Sequence, residues 1–162
     1  MKICFIGSHS TGKTTLCNLL AKELPDHFLI PEIARVFGVE LIPKKTLQLQ
    51  KDMAKAQINI EKYHANFISD RSILDFGIYS ENISMINTCA RYTQKSYDYI
   101  FYVPVTFFPV DDGFRNTDRA YQLHIAALFE KYLTSKTIVL KSESIEDRIE
   151  EIKAHLSISK GA

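Results

Sequence analysis

Near the start of the chain an apolar run, Lys2–Ile6, gives way to Gly7-Ser8-His9-Ser10-Thr11-Gly12-Lys13-Thr14, and a helical pattern begins at once. This segment constrains the fold more than any other, because it needs a buried strand to launch it and a helix to leave from it. Gly7 and Gly12 let the backbone turn tightly and point successive N–H groups inward, where they form an anion nest at the positive end of the helix. The segment is a full match to G-x-x-x-x-G-K-[ST], the cradle for a nucleoside triphosphate. Lys13 is expected to bridge the β- and γ-phosphates and the Thr14 hydroxyl to hold Mg²⁺. His9 and Ser10 read as spacers, although the Ser10 and Thr11 hydroxyls could touch phosphate. Ser8 and Thr15 complete the expected nucleotide-binding set.

The rest of the chain supplies the setting. Short β-branched and aromatic runs alternate with helical periodicity, the signature of a parallel sheet covered on both faces. Strands are predicted over Lys2–Ile6, Phe28–Ile30, 66–69, 99–103 and 137–140, and helices over 13–24, 45–64, Ile73–Ser80, 84–95 and 119–133. A last helix starts from a Ser144 cap, with Glu146 and Asp147 on its positive end. In the helix over 45–64, Leu49, Met53, Ala56, Ile60 and Tyr63 make one apolar stripe, expected to face the core. The fold class is therefore α/β, a three-layer αβα sandwich around a five-stranded parallel sheet. Ligands in such sheets bind beyond the carboxyl ends of the strands.

Size and charge narrow the function. A chain of 162 residues suits one domain, and 46% hydrophobic with 24% charged residues excludes disorder. A net charge of +1 argues against a generic DNA- or membrane-coating protein. Cys4, Cys17 and Cys89 show no metal-ligand spacing and read as buried free thiols, which implies a reducing, cytoplasmic setting. The first apolar run is too short for a signal peptide. The run over 99–110 is broken by Pro104 and Pro109 and falls short of a membrane span, so a soluble protein is expected.

Residues after the other strands point to phosphoryl transfer. Asp70, ending the Phe67–Ile68 run, fits the acidic position that holds Mg²⁺ through water. Arg71 follows it where motor ATPases place a glutamate, and no N-K-x-D guanine reader is present. Glu32, in Pro31-Glu32-Ile33-Ala34-Arg35, faces the same edge and can act as general base, position an acceptor hydroxyl, or merely cap the next helix. Arg71 could pair with a substrate phosphate or carboxylate, or lock Glu32 by a salt bridge. Between the fourth strand and the next helix, residues 110–119 suit a mobile lid, with Gly113 as hinge. Arg115 and Arg119 would swing in to neutralise the transferring group, unless they pair with Asp111, Asp112 or Asp118.

The order G-S-H-S-T-G-K-T, P-E-I-A-R, D-R-S-I-L-D, Y-D-Y-I-F-Y-V-P and D-D-G-F-R…R resembles the AAA-like P-loop kinase group that contains NadR-type ribosylnicotinamide kinase domains. The likeness runs roughly from Lys2 to Ile152. D-R-S-I is also similar to the E-R-S-I of deoxyribonucleoside kinases, whose catalytic glutamate follows strand two much as Glu32 does. The resemblance implies a P-loop NTPase fold with a nucleoside-monophosphate-kinase-like core over 1–162, ATP with Mg²⁺, and a small nucleoside-like acceptor: a nucleoside, ribosylnicotinamide or a nucleotide. The sequence carries no adenylyltransferase segment beside the kinase one, so a role in NAD synthesis does not come with the resemblance. The adenine is expected beside Lys141-Ser142-Glu143-Ser144.

Two other functions fit parts of the sequence. A nucleic-acid kinase could use Lys44, Lys45, Lys51, Lys55 and Lys62 along the long helix. A non-catalytic ATP-binding switch could present Phe107 and Phe108 to a partner. Oligomeric state is not encoded in any motif.

Overall fold

Five short runs of β-branched and aromatic residues become the five strands of one sheet in the computed structural model, which describes residues 1–39, 46–106 and 118–157. They are β1 (Lys2–Ile6), β2 (Phe28–Ile30), β3 (Phe67–Asp70), β4 (Tyr99–Tyr102) and β5 (Thr137–Val139). Every adjacent pair is parallel, in the order β2-β3-β1-β4-β5. Central β1 is buried on both faces, which is why it reads as a continuous apolar run rather than an alternation.

The pleat divides the core in two. Ile3 and Phe5 face a cluster built with Leu16, Cys17 and Leu20 of α1 (Lys13–Glu23) and Ile152 of α7 (Ile145–His155). Cys4 and Ile6 face the other cluster, fed by α2 (Ile33–Val36), α3 (Leu47–Lys62), α4 (Ile73–Ser80), α5 (Ile83–Ser96) and α6 (Arg119–Glu130). The result is the expected αβα sandwich. Cys4, Cys17 and Cys89 are buried and free. Ser144 caps α7 by accepting from the Asp147 amide, with Glu146 and Asp147 in the first turn.

One helix departs from its sequence pattern. The stripe Leu49, Met53, Ala56, Ile60 and Tyr63 forms the core face of α3 only in part: Met53 is buried but Tyr63 is 86% exposed, and the other buried positions are Gln50, Ala54, Gln57 and Glu61. Leu49, Ala56 and Ile60 pack only at the margin of the core. The helix is turned so that a polar line points inward, and hydrogen bonds offset that burial. Gln57 Nε2 donates to Glu61 Oε1 at 2.9 Å, to Ser69 Oγ at 3.0 Å and to the Arg71 carbonyl at 3.2 Å. The Tyr97 hydroxyl donates to the same Glu61 carboxylate.

Strand register sets the site. Phe5 of β1 lies beside Asp70 of β3, and Ile30 of β2 beside Ser69. Glu32 and Arg71 each stand two residues beyond that second pair, so the parallel ladder delivers them to the same height at the carboxyl edge. No described helix is long and apolar enough to cross a membrane.

Candidate active site

The loop after β1 adopts the backbone its glycines permit. Gly7 has φ +138° and Gly12 φ +92°, both in the left-handed region. A Cβ on Gly7 would stand 2.6 Å from the Val103 carbonyl oxygen, so that position admits no side chain. Lys13, the first residue of α1, is buried and turns its ammonium back into the loop. It donates to the Gly7 carbonyl at 2.9 Å, to Thr11 Oγ1 at 3.2 Å and to the Ser8 carbonyl. Burial, helped by the nearby Arg71 guanidinium, pulls Lys13 down from 10.5 to about 8. Thr14 Oγ1 donates to Asp70 Oδ2 at 2.6 Å, which brings the hydroxyl and the carboxylate together. Burial and the neighbouring Glu32 charge push the Asp70 carboxyl up.

These residues fit a nucleoside triphosphate and its magnesium ion. The nest offers backbone N–H groups to an anion, and Thr14 with Asp70 supplies the hard oxygen donors that Mg²⁺ takes alongside phosphate and water. A crevice is lined by Ser10, Thr11, Gly12, Lys13, Thr14, Thr15, Glu32, Asp70 and Arg71. Gly7, Ser8 and His9 lie behind this lining. Ser8 Oγ donates to the Gln122 carbonyl at 2.8 Å, and Gln122 Nε2 donates to the His9 carbonyl at 2.8 Å, so fully buried Gln122 braces the loop from α6. The His9 ring sits 3.2 Å from the Tyr79 hydroxyl, a contact across to α4.

On the other side of the crevice, Glu32 occupies the cap position of α2, yet its side chain makes no cap hydrogen bond. It accepts instead from Arg71 Nε at 2.7 Å and from Arg35 Nε at 3.2 Å. Of the two roles open to Arg71, the described contacts are those of a lock on Glu32, extended by an ion pair with Asp75 at 3.3 Å. Burial would raise the Glu32 carboxyl, but Arg71 and Lys13 outweigh it and hold it at about 2. Asp75 goes the other way. Burial pushes it up to about 6 in spite of Arg71, because this carboxyl is fully enclosed and also closes the capping box of α4 with Ser72. Arg71 has φ +98°, a strained value for a residue with a side chain, costing of order 1–3 kcal/mol. The Gln57 bond to its carbonyl and its two carboxylate partners hold it there.

Beyond Glu32 lies a second, partly open cavity lined by Glu32, Ala34, Gln50, Met53, Arg71, Asp75, Phe76 and Tyr79. Glu32 and Arg71 border both spaces. Arg119 begins α6 and donates to Gln122 Oε1, one step from the loop that Gln122 braces. Arg115, most of the expected lid, Phe107, Phe108, Lys44 and Lys45 lie outside the described residues. Lys51, Lys55 and Lys62 are exposed. Gln50, Gln57, Asp75, Tyr79 and Gln122 belong to the site or its supports and were not singled out from the sequence. Asp75 had a signal, since it closes the D-R-S-I-L-D segment.

A family model described as an AAA domain matches residues 2–148. The chain belongs to that family. No curated protein matches it in sequence. Solved structures do. A NadR protein in complex with NR superposes with a TM-score of 0.73 at 18% identity, over 99% of this chain and 52% of the other. Deoxyadenosine kinase from M. mycoides, with products dCMP and dCDP bound, gives 0.67 at 18% identity, over 97% and 99% of the two chains. Thymidylate kinase from Ehrlichia chaffeensis gives 0.67 at 21% identity, over 96% and 98%. The fold of this AAA-domain chain is thus that of the P-loop kinases, as its motifs imply.

Proposed function

We propose that the protein is a kinase that transfers the γ-phosphoryl group of ATP, with Mg²⁺, to a hydroxyl of a small nucleoside-like acceptor. One observation carries this reading: Glu32 and Arg71 form a wall common to the phosphate crevice and to a second, partly apolar cavity. A hydrolase needs only the first space. A second one, opening on the same carboxylate, suits a bound acceptor alcohol.

ATP would supply the transferable group, and its magnesium ion would neutralise charge on the phosphates. Lys13 would hold the phosphates, and Thr14 with Asp70 would hold the ion. Glu32, ionised at every physiological pH, would orient the acceptor hydroxyl and take its proton, while Arg71 fixes the carboxylate's direction. Arg115 and Arg119 would add positive charge from the lid side. In the second cavity Gln50 offers an amide among Met53, Phe76 and Tyr79, a suitable lining for a planar base with polar edges. Among the described residues the arginine that lines that cavity, Arg71, is bonded to Glu32, which favours an acceptor without a phosphate of its own. The buried free thiols suit a reducing compartment, and we assign the protein to the cytoplasm.

The test is ADP release from ATP and Mg²⁺ in the presence of nucleosides, ribosylnicotinamide, nucleoside monophosphates or short oligonucleotides. Stimulation by a nucleoside-like compound is expected. Stimulation by oligonucleotides alone would replace the reading with a nucleic-acid kinase, and ADP release that no acceptor stimulates would replace it with a switch.

A further inference from the structure

Among the described residues the bulkiest fully buried side chain is an arginine, Arg148 on α7, at 0% exposure. It stands in the apolar stripe of that helix, between Ile145 and Ile152, where a leucine or methionine would complete the packing. Burying a guanidinium costs several kcal/mol unless its donors are used. Here they are spent on three separate segments. Nε donates to the Ser142 carbonyl at 2.8 Å, Nη1 to the Thr11 carbonyl at 3.0 Å, and Nη2 to the Pro104 carbonyl at 3.2 Å and Thr106 Oγ1 at 2.9 Å.

Those segments follow β1, β4 and β5, three consecutive strands of the sheet. They are the phosphate cradle, the stretch leading toward residues 107–117, and the loop before α7. A planar fork with donors pointing three ways can reach all of them, which a lysine cannot. The same helix grips the third segment again, three residues on. The Glu151 carboxylate accepts from the Lys141 amide at 3.0 Å and from the Ser142 amide at 3.0 Å. Arg148 and Glu151 thus hold the carbonyl and the amides of one short loop from a single helix.

The placement gives this clamp a task. The cradle fixes where triphosphate sits, and the β2–β3 side of it is taken by Glu32 and the second cavity. The nucleoside end of a donor nucleotide must then run over the β4–β5 side, onto the loop that Arg148 and Glu151 shape. We propose that Arg148, working with Glu151, is a positioning residue that sets the affinity and nucleobase preference for the donor by holding the 141–144 loop at a fixed distance from the phosphate cradle. This rests on the reading of the protein as an ATP-dependent kinase, but its test is binding, not turnover.

The experiment is calorimetric titration of the whole chain with ATP, GTP and inorganic tripolyphosphate, each with Mg²⁺ and without acceptor, for wild type, Glu151→Ala, Arg148→Lys and Arg148→Met. Thermal melts of each variant are run alongside. A hydrogen bond to a charged group is worth about 1.5–3 kcal/mol, so losing the loop contacts should weaken ATP about tenfold or more. The described backbone amides that Glu151 accepts from are those of Lys141 and Ser142 in the loop, so Glu151→Ala should weaken ATP while leaving tripolyphosphate within about twofold. Arg148→Met should weaken both ligands, because it also releases the Thr11 carbonyl. All three variants should lower the preference for ATP over GTP. An unchanged ATP-to-GTP ratio, or equal losses for ATP and tripolyphosphate in Glu151→Ala, would overturn the proposal. Should Arg148→Met fail to fold, Glu151→Ala and Arg148→Lys decide it alone. Wild type that binds ATP with this pattern yet phosphorylates nothing would overturn the kinase reading and leave the clamp standing.

Discussion

Replacing Glu32 by glutamine removes one negative charge and one proton acceptor with almost no change in volume, and its two consequences can be sized separately. The first is on stability. The carboxyl titrates at about 2 in the folded protein against an ordinary 4.5, so ionised Glu32 contributes at most about 3 kcal/mol at neutral pH. A depressed folded value means that this contribution is complete above about pH 4.5 and fades as pH falls toward 2. Glutamine keeps an oxygen for Arg71 Nε, and Arg71 keeps Asp75 at 3.3 Å, so the measured loss should be about 1–2 kcal/mol. The second consequence is on rate. Losing a positioned general base costs about 10²–10⁴ in turnover. ATP should bind as before, because Lys13, Thr14 and Asp70 are untouched. The assay pairs steady-state transfer, with KM for ATP and for the acceptor, with denaturant melts near pH 7 and near pH 3. Expected are a kcat lower by about 10² or more, an ATP KM within about twofold, and a stability gap that narrows at the lower pH. Unchanged turnover in a folded variant would refute the role of Glu32. A stability gap equal at both pH values would refute the ion-pair account of its titration.

Other outcomes follow from the same geometry. Lys13 is cationic below about 8 and phosphate favours that form, so ATP affinity should fall as pH rises above 8, by up to about tenfold per unit, with proton uptake on binding near that pH. Calorimetry in buffers of different ionisation heat would read this, and pH-independent binding would contradict it. Asp75 has a folded value of about 6, above its ordinary 3.8, so its ionisation opposes folding and stability should drop as pH rises through that window. Asp75→Asn should therefore compare more favourably with wild type near pH 7 than near pH 4, as read by melts; the opposite trend would remove burial as the cause. Gly7→Ala should damage ATP binding more than Gly12→Ala. The added methyl meets the immovable Val103 carbonyl in the first case and the flexible end of Ile145 in the second; equal effects would show that local strain, not the contact, decides.

The cradle was legible because its whole mechanism is local: two glycines, a lysine and a threonine within eight residues, set between a strand and a helix. The five strands were legible for a similar reason, since buried parallel strands are continuous apolar runs. Asp70 followed from its place at a strand end, while the lock of Arg71 on Glu32 was one of two roles the sequence left open, and strand register brings the two residues together. What the pattern missed was polar and buried. The apolar count on α3 pointed to Leu49 and Tyr63, yet Gln50, Gln57 and Glu61 face inward. The burial of the Gln57 amide group and of Glu61 is offset by partners in distant segments, such as Ser69, Tyr97 and the Arg71 carbonyl, which a one-dimensional period cannot register. Arg148 escaped for the same reason. An arginine within an isoleucine stripe reads as an irregularity until three loops are seen to converge on it.

The central claim is that the phosphoryl group crosses the wall shared by the two cavities. Following the label from γ-labelled ATP in the presence of a nucleoside tests it most directly. The account predicts labelled nucleoside monophosphate, formed by wild type and lost in Glu32→Gln while ATP still binds. Label recovered only as inorganic phosphate, at a rate that no nucleoside or ribosylnicotinamide alters, would contradict it.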